Sequence, residues 1–237
     1  MSKVFLTAEW RNLILVTYKI PSEVLTTNIP DGLEPDTLDN QDENAFISLV
    51  AFDFINTRVK GRRILFHVNF PEINLRYYVR EKDSGRRGVV FIREFVPRFF
   101  ISFIANRIYN EPYKSIKMKS VISVNEVVQV KHTLKYKGRE FFITAEGKNE
   151  PYTPAEDSKE HFFKEHSYGY GVNRRGETLV YQVEHPVWNI YPLITCDNNV
   201  DFTHLYGSKW SFLNGAEPYS VMLAEGSDVK VYTSSKL

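Results

Sequence analysis

The feature that most constrains the fold of this chain is a recurrent alternation of apolar and polar residues. In the segment VQVKHTLKYK, residues 128–137, every second residue is Val, His, Leu or Tyr, and the residues between them are Gln, Thr or Lys. Because successive side chains of a β-strand point to opposite faces, this pattern predicts a strand with one buried and one solvated face. Gly138 follows, and REFFITAEG resumes a strand-like composition. Residues 127–146 are therefore predicted to form a β-hairpin that turns near Lys137.

The same alternation recurs in several other segments. INLRYYVR at residues 73–80 and VVFIREFV after the turn EKDSGRRG are predicted to pair as strands. Further strand-like segments are NLILVTYKI, AFISLVAFDF, ETLVYQVEH and DVKVYT. The sequence contains no internal repeat and no linker, and 237 residues are enough for one sizeable core. We therefore predict a mainly β protein, dominated by antiparallel strands, with a single domain over residues 1–237.

Helical spacing is much rarer than strand alternation. In PRFFISFIANRIY the apolar residues recur every three or four positions, which predicts an amphipathic helix from Pro97 to Tyr109. We expect this helix to pack outside the sheet through Phe99, Phe103 and Ile104. Asp157 or Ser158 is placed to cap a second, short helix over KEHFFKEH.

Charge and cysteine content exclude several classes of function. The 30 Lys and Arg residues nearly balance the 29 Asp and Glu residues, so the chain has no general attraction to nucleic acid or anionic membranes. No apolar run approaches the roughly 18 residues that span a bilayer, and the opening MSKVFLTAEW is not typical of a signal peptide. The single cysteine, Cys196, cannot form an internal disulfide. We expect a soluble cytoplasmic protein with neither nucleic acid nor membrane as a partner.

Sequence motifs for the common cofactors and nucleophiles are absent. The chain has no glycine-rich phosphate loop, no H-E-x-x-H spacing among its six histidines and no G-x-S-x-G elbow. We therefore predict no metal and no cofactor, histidines with structural roles, and Cys196 as a small core residue.

One predicted strand carries an unusual row of polar residues. Glu72, Asn74, Arg76 and Arg80 share parity, so a regular strand projects all four from the same face. If that face lines the interior of a barrel, a carboxylate and a guanidinium converge there. If it faces water, the four residues form an ordinary exposed row.

Three segments resemble a known family when they are taken together and in order: FPEINLRYYVR, NEPYKSIKM and VEHPVWNIYPL. With the opening IPDGLEPDTLDNQDENAFISLVAF, they are similar to the YqjF-like family of uncharacterised bacterial proteins over nearly the whole chain. That family is in turn similar to acetoacetate decarboxylase, which implies a closed or cone-like antiparallel β-barrel with a central cavity. In that enzyme a lysine amine forms a Schiff base with a β-keto acid, and a hydrophobic site and a second lysine lower the pKa of the amine.

The resemblance also places site residues. The decarboxylase signature G-R-E-x-x-G-F-P-K-K falls on ANRIYNEPYK, so Arg107 takes the signature arginine and Lys114 the second lysine. Tyr113 stands at the Schiff-base position, and a phenol cannot form an imine. Glu72 corresponds to the glutamate of a strand in the enzyme. The resemblance therefore implies a related barrel without the usual Schiff-base lysine.

These observations leave two main hypotheses for function. The first is a barrel that binds a small organic ligand, acidic or carbonyl, in its central cavity. Its predicted ligand-binding residues are Glu72, Asn74, Arg76, Arg107, Tyr113 and Lys114. The alternative is a divergent lyase that uses Lys114, or an acid–base catalyst in which Glu72 or Tyr113 moves a proton. A structural or protein-binding role is not separated from the first hypothesis by sequence.

The segment VEHPVWNIY gives a separate prediction about burial. Trp188 and His185 are expected to be at least partly buried, with the indole N–H hydrogen-bonded, because a buried N–H needs a partner.

Overall fold

β-Strands make up most of the regular structure of the computed structural model, which describes residues 3–38, 43–65, 67–97, 112–164 and 166–237. The strands are β1 (Val4–Pro21), β2 (Leu33–Pro35), β3 (Asn44–Val59), β4 (Phe70–Glu81), β5 (Arg87–Val96), β6 (Tyr113–Ser115), β7 (Lys117–Val124), β8 (Val127–Tyr136), β9 (Arg139–Lys148), β10 (Tyr168–Val172), β11 (Thr178–Glu184), β12 (Ile190–Tyr191), β13 (Leu193–Asn198), β14 (Ser220–Tyr232) and β15 (Ser235–Lys236). Two short α-helices, Lys159–Lys164 and Phe202–Tyr206, and two 3-10 helices, Ser22–Leu25 and Ser208–Leu213, complete the list.

The larger sheet closes on itself. Its order runs β14-β1-β3-β4-β5-β10-β11, and β11 pairs back onto β14, so seven strands form a barrel-like ring. Most neighbours are antiparallel, as predicted, but β5 is parallel to β10 and to β6. A parallel pair needs a long connection, and the described chain between β5 and β10 includes β6 to β9 and the helix Lys159–Lys164.

The alternation in the sequence correctly predicts the hairpin of β8 and β9. Lys137 and Gly138 both have positive φ angles, 44° and 81°, which match a two-residue turn between antiparallel strands. The alternating residues that begin at Val128 are buried and their neighbours are mostly exposed. β8 and β9 belong to a second, four-stranded sheet of order β13-β9-β8-β7, which packs on the outer face of the ring.

A buried polar group links the two sheets. Ser120 of β7 donates to Asp53 of β3 at 2.6 Å and lies 2.8 Å from His132 Nδ1 on β8. The other ring nitrogen of His132 lies 3.0 Å from the backbone oxygen of Asn12 on β1. His132 is fully buried, so these contacts satisfy its ring inside the core.

The helices are short where the structure describes them. Ser158 accepts a hydrogen bond from the backbone N–H of His161 at 3.1 Å, so Ser158 caps the helix Lys159–Lys164 as predicted. The amphipathic helix predicted from Pro97 to Tyr109 lies almost wholly in 98–111, outside the described residues. None of the helices described is long and apolar enough to cross a membrane.

Candidate functional site

A cavity lies inside the ring of strands. All seven ring strands and β6 contribute to its wall, and the helix Lys159–Lys164 contributes its last residue. The wall is mostly aromatic and aliphatic, and the volume is about 110 Å³. An apolar cavity of about 150 Å³ holds a benzene molecule, so this space suits a small organic compound.

The polar row predicted on β4 faces this cavity. Glu72, Asn74 and Arg76 all line it, whereas the alternate residues Ile73 and Leu75 are buried in the core between the two sheets. β4 is therefore covered on both faces along this part of the strand. The alternative from the sequence, an exposed row of charges, does not occur here. Arg80, near the end of β4, pairs at the surface with Glu34 at 2.6 Å.

Glu72 is the centre of a hydrogen-bonded group. Its carboxyl accepts from Asn74 Nδ2 at 2.9 Å and from the Tyr113 hydroxyl at 3.1 Å. The carboxyl of Glu94 on β5 also hydrogen-bonds to it. Two carboxyl groups can share a hydrogen bond only when one of them carries a proton, so the Glu72–Glu94 pair holds a proton inside the cavity.

Burial changes the acidity of Glu72. Removal from water raises the pKa of Glu72 to about 7, although the hydrogen bonds from Asn74, Glu94 and Tyr113 and the charge of Arg76 act in the opposite direction. Near neutral pH this pair can therefore both release and accept a proton.

Two cavity-lining atoms on β4 are not satisfied within the described part of the chain. Arg76 Nε and Asn74 Oδ1 are buried, and neither has a hydrogen-bond partner among the described residues. The pairing of β4 with β5 shifts register between Leu75 and Arg76, which bends the strand locally. Buried polar atoms are normally paired, so the donor on Arg76 and the acceptor on Asn74 indicate a position for a polar ligand.

A second polar group reaches the cavity beside Tyr78 of β4, whose ring contacts the ring of His166 with centroids 4.7 Å apart. His166 Nε2 lies 2.9 Å from Asp36 Oδ2, and Arg87 donates to the same carboxylate from Nε at 2.6 Å. Burial alone would raise the pKa of Asp36, but the hydrogen bonds from His166 and Arg87 hold it below its usual value. Burial lowers the pKa of His166, although Asp36 acts against that shift. The imidazole is therefore neutral near pH 7, with its proton on the nitrogen that faces Asp36.

Lys164 also lines the cavity, and sequence reasoning missed it. It is the last residue of the helix Lys159–Lys164, it is 2% exposed, and it follows the buried residues Phe162 and Phe163. Lysine is almost never buried to this extent. Glu94 and His166 were missed as well, because only the tertiary fold brings them to Glu72.

The other predicted ligand-binding residues do not all lie at the cavity. Tyr113 faces the cavity, but Lys114 points to the opposite side of β6, where its amine donates to the Tyr136 hydroxyl at 2.7 Å. Adjacent residues of a strand face opposite ways, so Tyr113 and Lys114 cannot both enter the cavity. Arg107 lies outside the described residues.

The segment around Trp188 forms one end of the aromatic wall. Trp188 is 2% exposed and its indole N–H donates to Ser227 at 2.7 Å, as predicted. The partly buried ring of His185 stacks on it, with centroids 4.5 Å apart. Both residues line the cavity.

Residues with metal-binding side chains do not gather elsewhere in the described ranges. No group of three or more His, Cys, Asp or Glu residues is placed there to hold a metal ion.

A family model matches most of this chain. The model of the DUF2071 family, described as uncharacterized conserved protein, matches residues 7–228. The comparison with curated proteins gives no significant match. The resemblance to an uncharacterised family read from the sequence motifs is confirmed.

Solved structures of similar fold are all distant in sequence. An acetoacetate decarboxylase-like enzyme from Sphingomonas wittichii RW1 is similar with a TM-score of 0.66 and 10% identity, over 99% of this chain and 94% of that chain. Acetoacetate decarboxylase from Legionella pneumophila has a TM-score of 0.63 and 13% identity, over 98% and 87%. The enduracididine biosynthesis enzyme MppR complexed with pyruvate has a TM-score of 0.62 and 11% identity, over 100% and 91%. These similarities confirm the predicted acetoacetate decarboxylase-like fold.

Proposed function

This chain belongs to the DUF2071 family of uncharacterized conserved proteins, and we propose that it binds a small organic acid that also carries a carbonyl group, in the cavity inside the ring. The observation that carries the proposal is the buried Arg76 Nε, a charged donor left without a partner among the described residues at the wall of an apolar cavity. A guanidinium in such surroundings forms strong, directional hydrogen bonds to a carboxylate.

The remaining polar groups suit the rest of such a ligand. The Glu72–Glu94 pair offers its proton to a carbonyl oxygen, and the aromatic wall covers the carbon chain. Because the carboxyl pair keeps a proton, its negative charge opposes an anion less than two ionised carboxylates would. A distant structural relative, MppR, is complexed with pyruvate, which is a compound of this class.

A ligand panel tests this proposal. Pyruvate, 2-ketobutyrate and acetoacetate are expected to raise the melting temperature of the protein further as their concentration rises, because binding to the folded state alone stabilises it. Acetone, 2-butanone and the amide of pyruvate keep the carbonyl group but lack the carboxylate, so they serve as controls. Equal shifts with the neutral controls, or no shift with any acid, would contradict the proposal.

A second candidate function is carbonyl chemistry through an imine. The specific observation in its favour is the buried amine of Lys164 at the same cavity. The geometry gives Lys114 no access to the cavity, since its amine contacts Tyr136 on the other side of β6. An imine-forming enzyme of this fold would therefore use Lys164, which comes from a helix, in place of the signature position occupied by Tyr113.

Borohydride reduction in the presence of pyruvate separates the two candidates. If the imine forms, the protein gains the mass of the reduced adduct, and peptide mapping places it on Lys164. Lys164→Met should then remove the adduct, and Lys114→Met should retain it. No adduct on Lys164, under conditions in which pyruvate binds, would leave binding as the function and exclude the imine.

A further inference from the structure

The cavity wall also contains an imidazole whose environment fixes its proton. His166 Nε2 faces the Asp36 carboxylate at 2.9 Å, and a carboxylate can only accept, so this nitrogen carries the hydrogen. Asp36 is itself fixed by Arg87, which donates from Nε at 2.6 Å and from a terminal nitrogen at 3.2 Å. The remaining nitrogen, Nδ1, therefore holds a lone pair.

That lone pair is buried and without a partner in the residues the structure describes. Nδ1 of His166 has no hydrogen-bond partner among them, and His166 lines the cavity. The ring is held edge-on by Tyr78 and Phe162, with centroids at 4.7 Å and 5.1 Å, so it has little freedom to turn away. A structural histidine would normally satisfy both ring nitrogens, as His132 does between the two sheets.

Arg76 connects this imidazole with the carboxyl pair. The guanidinium carbon of Arg76 lies 5.8 Å from the centroid of the Tyr78 ring, and the His166 ring packs against the same ring with centroids 4.7 Å apart. The charge of Arg76 also acts to lower the pKa of Glu72. A carboxylate held by Arg76 would therefore leave the rest of a small ligand in the cavity that both His166 and the Glu72–Glu94 pair line.

We propose that His166, positioned by Asp36, is a catalytic base that moves a proton between its own Nδ1 and the carbon next to the carbonyl of a bound keto acid, so that the cavity interconverts keto and enol forms. This inference rests on the proposed function, since it takes the keto acid that Arg76 would hold. His166 would contact the ligand, and Asp36 is a positioning residue that acts through the ring.

The proton transfer balances without any other reactant. His166 Nδ1 takes a proton from the carbon next to the carbonyl, and the C–H electron pair becomes the C=C bond of the enol. The carbonyl π pair moves to oxygen, which takes the proton held by Glu72 and Glu94. The reverse steps restore the keto acid, and in D₂O they place deuterium on the carbon.

Deuterium exchange into the methyl group of pyruvate, followed by proton NMR in D₂O, tests the proposal. We expect the wild-type protein to accelerate exchange above the rate in buffer. His166→Gln keeps a donor toward Asp36 but removes the base, and should slow exchange by about 100-fold or more. His161→Gln changes a histidine on the preceding helix Lys159–Lys164 that does not line the cavity, and should exchange like wild type.

Asp36→Asn provides a test of the positioning role. An amide at position 36 can donate to Nε2, which moves the imidazole hydrogen to Nδ1 and removes the lone pair from the cavity. Exchange should fall as in His166→Gln, and ¹⁵N NMR of the ring should show that the protonated nitrogen has changed. A merely structural Asp36 would not change the tautomer.

Three results would overturn the inference alone. The first is exchange no faster than buffer while pyruvate still raises the melting temperature, which would leave the proposed binding intact. The second is exchange that survives in His166→Gln and is lost in Lys164→Met, which would assign the exchange to an imine. The third is a ¹⁵N spectrum of the wild-type protein with hydrogen on Nδ1 at neutral pH, a result that does not depend on any variant folding. Failure of both exchange and pyruvate binding would overturn the inference together with the proposed function.

Discussion

Replacing Glu72 with Gln is expected to remove a loss of stability that the wild-type protein shows as the pH rises from about 4.5 to about 7. Burial raises the pKa of Glu72 from 4.5 to about 7. Below pH 4.5 the carboxyl is protonated in both states and contributes no pH dependence. Between the two values the unfolded chain loses the proton and the folded chain keeps it, so stability falls as pH rises. Above pH 7 the loss of folding stability that Glu72 causes reaches its full size of roughly 3 kcal/mol.

The Gln side chain suits this comparison because it has the shape of a protonated Glu. Its carbonyl oxygen can still accept from Asn74, and its amide can replace the proton shared with Glu94. Urea unfolding at a series of pH values measures the effect. The matched control Glu34→Gln changes an ion-paired surface carboxylate on β2 and should keep the wild-type slope from about pH 5 to about pH 7. If the free energy of unfolding changes equally with pH in wild type and Glu72→Gln, Glu72 is ionised in the folded protein. The inference that Glu72 and Glu94 share a proton is then wrong.

Local patterns in the sequence predicted strands, turns and facing directions well. The alternation that begins at Val128 gives β8 with its buried face, and Lys137 and Gly138 give the turn. The opposite directions of Tyr113 and Lys114 follow from the same rule. These features depend on neighbours in the chain, so sequence spacing is sufficient to predict them.

The composition of the site could not be predicted in the same way. Whether the polar face of β4 was inside or outside depended on closure of the ring, which requires β11 to pair with β14 far along the chain. His166 lies 130 positions from its partner Asp36, and nothing in the local sequence connects them. Lys164 ends a helix of six residues, too short for its spacing to predict which side is buried.

The resemblance to acetoacetate decarboxylase gave the fold and part of the site. It placed Glu72 and Tyr113 at one cavity, where the structure joins them by a hydrogen bond of 3.1 Å. The signature predicted Lys114 as a candidate because Lys114 occupies a lysine position of the motif. A motif contains no information about a lysine that another element of the fold supplies. The cavity instead has Lys164 at its wall.

Arg76 is the residue on which the proposed binding depends most. A carboxylate in this cavity would form charged hydrogen bonds with the guanidinium in surroundings that exclude most water. Loss of one partner from such a pair costs about 2–5 kcal/mol, which corresponds to a rise in Kd of at least about 30-fold. Met fills a similar volume without charge, so Arg76→Met should keep the apolar packing but bind the acid much more weakly. Loss of the Arg76 charge should also raise the pKa of Glu72 further.

Arg80 supplies the matched control on the same strand. Arg80 and Arg76 share parity on β4, but Arg80 is bound to Glu34 at the surface. Arg80→Met therefore removes the same charge from the same strand without entering the cavity. Its effect on stability is expected to be below about 1 kcal/mol.

Calorimetric titration of pyruvate into wild type, Arg76→Met and Arg80→Met tests the carboxylate site inside the ring most directly. We expect measurable binding by wild type, the same Kd for Arg80→Met, and a Kd at least about 30-fold higher for a folded Arg76→Met. Binding by Arg76→Met with the wild-type Kd would contradict the site that Arg76, Asn74 and Glu72 form in the cavity.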